Sequence, residues 1–197
     1  DKKSMHWYAW WKLCIPKKMG GMGFRDLHSF NLALLAKQAW RILQNPESLS
    51  ARILKGLYFP NRTILNAEIG SHPSQIWRAV IEGRDILKLG LIRQIGNRAA
   101  TNIWQDNCLP RAVMMRPYGR RGDSSNAENV SELIDKTAAT WNMAKLEEVC
   151  LPIDIPSILS IPLSTTEMED TWAWNFERSG KYTIRSAYRM MVESKFR

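Results

Sequence analysis

Phosphoryl chemistry that runs through two metal ions needs carboxylates gathered around the ions. The densest acidic cluster in this chain is "TEMEDTW", with Glu167, Glu169 and Asp170. It stands in a loop-like stretch ahead of a strand-like one, and no paired aspartates follow a hydrophobic strand. The cluster therefore reads as a solvated acidic turn before it reads as a metal site. Cys14, Cys108 and Cys150 are far apart with no C-x-x-C, and His6, His28 and His72 are equally scattered. That spacing supports neither a disulfide framework nor a zinc site, and it fits a reducing compartment, nuclear or cytoplasmic. G-x-S-x-G, Walker and H-E-x-x-H motifs are absent from the sequence. The expectation is no catalytic residue, no metal and no cofactor in this stretch.

The cations are more informative. In "IPKKMGGMGFRDL", Lys17, Lys18 and Arg25 surround Gly20, Gly21 and Gly23. A phosphate-binding loop would have a strand before it and Lys-Ser or Lys-Thr after its last glycine, and neither is present. The glycines read as turn positions that need positive φ. Lys17, Lys18 and Arg25 then stay on the rim, where they can meet phosphate. Such contacts position a backbone without reading its sequence. Lys37 and Arg41, late in the next apolar segment, and Arg52 and Lys55 in the one after, extend the set. These seven are the candidate nucleic-acid-binding residues.

Bulk charge supports that choice. The net charge is +9, with a sequence pI near 9.7. Residues 1–120 hold 19 Lys and Arg against 7 Asp and Glu, while residues 121–197 hold 9 against 12. The basic excess belongs to the first part and points to a polyanion. The competing reading is a basic face that only meets water. A domain boundary is expected near residue 120, between a basic helical region (1–120) and an acidic mixed region (121–197).

The elements that must carry these residues are mostly helices. After the aromatic "MHWYAWWKL", a helix is expected over 30–44, capped by Asp26 or Ser29. Leu32, Leu35, Ala36, Ala39 and Leu43 share one face of it, with Phe30, Leu34, Lys37 and Arg41 on the other. Ser48 caps a helix near 49–59 with a Leu49, Ile53 and Leu57 stripe. A third helix runs near 75–89, with Ile76, Val80 and Leu87 on one side. "LIRQIGNRAATNIWQD" suggests a hairpin, 111–128 a loop, and "VSELID" and "WNMAKLEEVC" short helices, the second capped by Asn142. "TWAWNF", turned by "RSG" and returned by "KYTI", suggests another hairpin leading into a helix from about Ser186. The fold class is mainly α with short β-hairpins (α+β): a helical part followed by a small mixed part. Forty-five per cent hydrophobic residues in 197 suffice for one domain or two small ones. Nine tryptophans read as core or interface rings rather than base-stacking platforms. No apolar run is long enough to span a membrane. The chain opens on Asp1 rather than Met, which suggests a piece of a longer product.

Several stretches, in this order, resemble a plant family: "WKLCIPKKMGGMGFRDLHSFNLALLAKQAWRIL", "LKGLYFP", "SQIWRAVIEGRDILKLGLIRQIG", "NIWQDNCLPR" and "WNFERSGKYTIRSAYR". The family is that of LINE-type, non-LTR retrotransposon reverse transcriptases, in the region after the polymerase core. The resemblance covers nearly the whole chain. It implies a thumb and connecting segment that grips template and product, behind palm and fingers that hold the catalytic aspartates. "SGKYTIRSAYR" resembles the opening of the reverse-transcriptase zinc-binding domain, whose cysteines and histidine come farther on. The implied partners are an RNA/DNA duplex and the upstream palm and fingers of an RNA-directed DNA polymerase, with no membrane. Relatives usually carry tryptophan where Arg93 and Cys108 stand and glycine near Arg98. Two missing rings, at about 3–5 kcal/mol each in a core, imply looser packing there and a decaying element copy; the other reading of these positions is that they face the surface and tolerate change. The alternative is a helical protein-interaction scaffold, or a non-functional remnant, with its basic residues merely solvated.

Overall fold

The computed structural model describes residues 8–96, 101–111, 114–119, 127–135, 138–163 and 170–196. The chain forms two compact units. The first comprises residues 1–89 and 183–197, and the second residues 90–182. The division expected at residue 120 is therefore a change in composition, while the chain folds as a long basic segment rejoined by its last fifteen residues. Its class is mainly α with short β elements, as expected.

In the first unit, α1 (Trp10–Cys14) leads into a 3-10 turn (Lys17–Met19). Gly20 (φ 83°) and Gly23 (φ 70°) then take the left-handed conformation that favours glycine. α2 (Leu27–Gln44) follows, with the Asp26 carboxylate accepting from the backbone N–H of His28 and Ser29. α3 (Leu49–Tyr58) is capped by Ser48 and α4 (Gln75–Lys88) by Ser74. α7 (Ile184–Lys195), capped by Thr183, returns to pack on α2, which also packs on α4. Each cap is a short oxygen-bearing side chain that satisfies amides left without a helical partner.

α2 buries Ser29, Ala33, Ala36, Ala39, Trp40 and Ile42. The face expected to be buried was richer in leucine, yet Leu32, Leu35 and Leu43 are only half-buried. Small residues take the centre because α4 comes so close. A Cβ on Gly83 would stand 2.3 Å from the Leu35 carbonyl carbon and 2.5 Å from the Ala36 nitrogen. Trp77, fully buried, fills the other end of α4, stacked on Tyr58 at 4.8 Å and Phe59 at 5.4 Å. α3 departs from its expected orientation. It docks through Ala51, with Leu54 and Tyr58 half-buried, and its Leu49, Ile53 and Leu57 stripe faces solvent.

The second unit holds two small sheets among the described residues. β1 (Leu91–Gln94) pairs antiparallel with β4 (Thr171–Trp174), in register Leu91 with Trp174 and Gln94 with Thr171. β2 (Ile134–Asp135) pairs with β3 (Thr140–Trp141) just after a 3-10 turn (Val130–Leu133). α5 (Met143–Val149), capped by Asn142, and α6 (Ile155–Leu159) complete it. Three local expectations are corrected. β1 finds its partner some eighty residues on, rather than in the stretch immediately after it. "KYTI" does not return as a strand: the Trp174 N–H donates to the Gly180 carbonyl at 2.7 Å, and Thr183 already caps α7. The cause is Trp174, which is fully buried against Tyr182 and Phe176 and rests on Gly90, where a Cβ would lie 2.5 Å from its ring. "VSELID" divides between the 3-10 turn and β2.

Gly83→Ala should lower stability by about 2–3 kcal/mol in urea unfolding, through overpacking against α2. The sign is the test, because alanine in a helix interior otherwise stabilises by about 0.5–1 kcal/mol relative to glycine.

Candidate nucleic-acid interface

The glycine loop uses its amides internally. Met19 and Gly21 donate to the Pro16 carbonyl, Gly20 to Lys17, Gly23 to Ile15 and Phe24 to Leu13, at 2.8 to 3.2 Å. No nest of free N–H groups is left among these five to cradle a phosphate. The loop bends the chain back over the end of α1 and delivers Asp26 to the start of α2. Lys17 and Lys18 stand exposed on its rim. Lys18 Nζ meets Glu193 Oε1 on α7 at 3.0 Å, with both side chains largely in water, so that pair is a weak constraint.

The exposed side of α2 carries the rest of the line. Arg25 lays its guanidinium over the Phe30 ring at 4.6 Å. Phe30, Lys37 and Arg41 recur at seven- and four-residue spacings, which keeps them on one side over roughly 16 Å of helix axis. Arg25 and Arg41 are exposed, and Lys37 is half-buried. Arg41 borders an open polar cleft at the α2–α3 corner, together with Ser48 and Ser50. On α3, Arg52 and Lys55 are exposed, and Lys55 reaches the edge of a small cavity of about 170 Å³ beside Ile42 and Phe59.

The helix expected from about Ser186 is α7, but its return to the first unit and its cations were not part of the sequence expectation. Arg185 and Arg189 are exposed on α7, and its return brings the first unit to 18 Lys and Arg against 7 Asp and Glu, leaving 10 against 12 in the second. The tie that recruits α7 is Asp26. Lys195 Nζ donates to Asp26 Oδ2 at 2.6 Å, and the Asp26 N–H donates to the Tyr188 hydroxyl at 3.0 Å. Ser29 Oγ donates to the same carboxylate at 3.1 Å. The Lys195 hydrogen bond, aided by those from Ser29, holds the Asp26 carboxyl below its ordinary range against the opposing effect of burial. Burial, and then the Asp26 charge, pushes the Cys14 thiol up. No local pattern announces this tie, because its partners stand 162 and 169 residues apart.

The acidic cluster falls partly outside the described residues, at Glu167 and Glu169. The described member, Asp170, is engaged: Oδ1 accepts from the Gly96 N–H and Oδ2 from the Thr101 hydroxyl, both at 2.6 Å. No group of three or more His, Cys, Asp or Glu side chains suited to a metal ion occurs among the described residues. The "NIWQDNCLPR" stretch is likewise structural. Asn102 accepts from the N–H of Trp104 and Gln105, and Asn107 donates to the Leu91 carbonyl. Arg111 donates to the fully buried Asp154 at 2.8 Å, to Ser157 Oγ and to the Ile153 carbonyl. Cys14, Cys108 and Cys150 are free and buried, and burial pushes Cys108 up to about 12 and Cys150 to about 11. Neither of the latter two is a ready thiolate. Among the described residues, no helix is long and apolar enough to cross a membrane.

No family model and no solved structure matches the chain. An uncharacterized mitochondrial protein of Arabidopsis thaliana is 46% identical over 118 residues, covering 59% of this chain and 77% of that protein. A putative ribonuclease H protein of the same plant is 28% identical over 203 residues, covering 98% of this chain but 32% of the longer protein. With these relatives the chain is a plant retrotransposon-derived protein. It belongs to the family of the uncharacterized mitochondrial protein. It spans about a third of the length of the ribonuclease H relative.

The Asp26 tie carries a pH signature. Its folded pKa is depressed, so its contribution is complete above the unfolded value near 3.9 and is lost as pH falls through the folded value. Lys195→Met should cost about 1 kcal/mol at pH 7, discounted for the half-exposed lysine, and the cost should shrink as pH falls below the unfolded value. Urea midpoints at several pH values measure it. An equal cost at both ends would mean that packing, not charge, holds α7.

Proposed function

We propose that this chain is the region behind the polymerase core of a non-LTR retrotransposon reverse transcriptase, where it grips the template and product duplex. Its first unit acts as a thumb-like clamp, and the second links it toward downstream domains. The residues proposed to meet the backbone are Lys17, Lys18, Arg25, Lys37, Arg41, Arg52 and Lys55, joined by Arg185 and Arg189. The upstream palm and fingers are the proposed protein partners and would supply the catalysis. The reading is carried by one observation: the fold segregates charge, with a net of +11 in the first unit and −2 in the second. The order and spacing of the family stretches support it, as does the retroelement ancestry. Arginine and lysine placed on helix sides without base-reading geometry favour phosphate contact and little sequence preference.

Anisotropy titrations of a labelled RNA–DNA hybrid between 50 and 200 mM NaCl test the proposal. Five phosphate contacts would give a slope of log affinity against log salt of about −4. Lys17→Glu with Arg41→Glu should weaken binding at least tenfold and flatten that slope by about two, with unchanged melting temperature. Lys145→Glu in the second unit should change nothing. A flat salt response, or equal losses from Lys145→Glu, would refute the clamp and leave the scaffold reading.

A further inference from the structure

α3 presents an apolar face that the first unit leaves bare. Leu49 is 73% exposed, Ile53 51% and Leu57 68%. At about 100° per residue these three fall within an arc of about 80°. Ala51, Leu54 and Tyr58, which hold the helix to its unit, fall on the opposite side. The stripe is thus surplus to the helix's own docking. Three large aliphatic side chains in water at i, i+4 and i+8 are the pattern of a helix-in-groove or helix-on-helix contact.

Gly56 adds a second, independent observation. It stands near the end of α3, about 20° beyond Leu49 on the same face, and is exposed. Its φ is not in the left-handed range, and nothing lies within 4 Å of where its Cβ would stand. The fold gains nothing from glycine here, while the helix loses stability relative to alanine. The contrast with Gly83 is direct, since there α2 occupies the space a Cβ would need. A glycine with an open approach, beside an uncovered stripe, fits a neighbour whose backbone comes equally close.

Charge selects the neighbour. Arg52 and then Lys55 follow Gly56 around the helix, Ser50 borders the other edge, and α3 contains no carboxylate. Two copies of α3 laid together would oppose arginine to arginine with no compensating acid. Three aliphatic side chains on a ten-residue helix make a poor membrane anchor. We infer that α3 docks an amphipathic helix of a partner protein through Leu49, Ile53, Leu57 and Gly56, with acidic residues of that helix facing Arg52. The apolar stripe is separate from the α2 part of the proposed phosphate line but shares Arg52 with that line, so an acidic helix and a duplex would compete for Arg52; the stripe itself does not depend on that proposal.

The probe is an N-acetylated, 18-residue helical peptide with leucines at alternating three- and four-residue spacing and glutamates between them. Its control has lysine in place of every glutamate. Binding to the full chain, read by anisotropy, should fall in the ~10 μM range expected of a small interface. The lysine peptide should bind at least tenfold more weakly. Ile53→Asp should abolish binding with the melting temperature kept, and Leu57→Ser serves if Ile53→Asp unfolds. Gly56→Ala should raise the melting temperature yet weaken binding at least fivefold. Arg52→Glu should reverse the preference between the two peptides. The inference is overturned if the glutamate peptide does not bind by 1 mM, if Gly56→Ala binds unchanged, or if both peptides bind alike. It is equally overturned if anionic phosphatidylserine vesicles displace the peptide, or if the chain dimerises through the stripe in light scattering.

Discussion

The first unit depends on the crossing of α2 and α4 at Gly83, where the two backbones nearly touch. Ala33, Ala36 and Ala39 on one helix and Gly83 on the other make it feasible. Dispersion between backbones at this separation is dense, and a single added methyl group has nowhere to go. The crossing sets which side of α2 is inside. It consequently sets which side carries Arg41 out to solvent, with Lys37 half-buried and Phe30 against Tyr188 of α7 along the same line. Placement of cations on the surface follows from the placement of alanines in the core.

Electrostatics then decides where the chain's last helix belongs. Asp26 completes the α2 terminus and receives Lys195 from α7, so one buried carboxylate serves as both helix cap and long-range anchor. The exposed Lys18–Glu193 pair runs between the same two neighbourhoods. It has little energy of its own but no conflict with the anchor. α7 brings Arg185, Arg189 and Lys195 into a unit already rich in cations. The separation of charge is already present along the sequence, and the return of α7 adds four cations and one carboxylate to the first unit through a contact between opposite ends of the chain.

The second unit spends its polar residues on itself. Arg111 and Asp154 form a buried pair whose remaining donors reach Ser157 and the Ile153 carbonyl, so no charge is stranded. Asp170, in a segment rich in acids, fastens Gly96 and Thr101. Arg93 stacks on Trp172 at 4.2 Å, although its Nε is buried without a partner among the described residues. Arg93 and Cys108 both border an open cavity of about 600 Å³. Motifs that look chemical by composition are here the stitching of a loop-rich fold.

The local sequence determined where helices begin. Asp26, Ser48 and Asn142 cap as expected, and Ser74 does the same for α4, because a short oxygen-bearing side chain competes for free amides within three residues of itself. It determined that the glycine loop is a turn, since the chemistry of a phosphate cradle was missing from its flanks. It also placed Lys37 and Arg41 together on one side of α2, a consequence of helical spacing alone. Partners at a distance were another matter. Periodicity marked Leu91–Gln94 and Thr171–Trp174 as strand-like, but a strand's alternation carries no address, and only the burial of Trp174 joined them. The α3 stripe was legible as apolar and not as exposed, because amphipathicity shows that a helix has two faces without saying which one the rest of the chain will cover. Tertiary structure decided that, along with the recruitment of α7, because packing and ion pairing act between residues that the sequence keeps far apart.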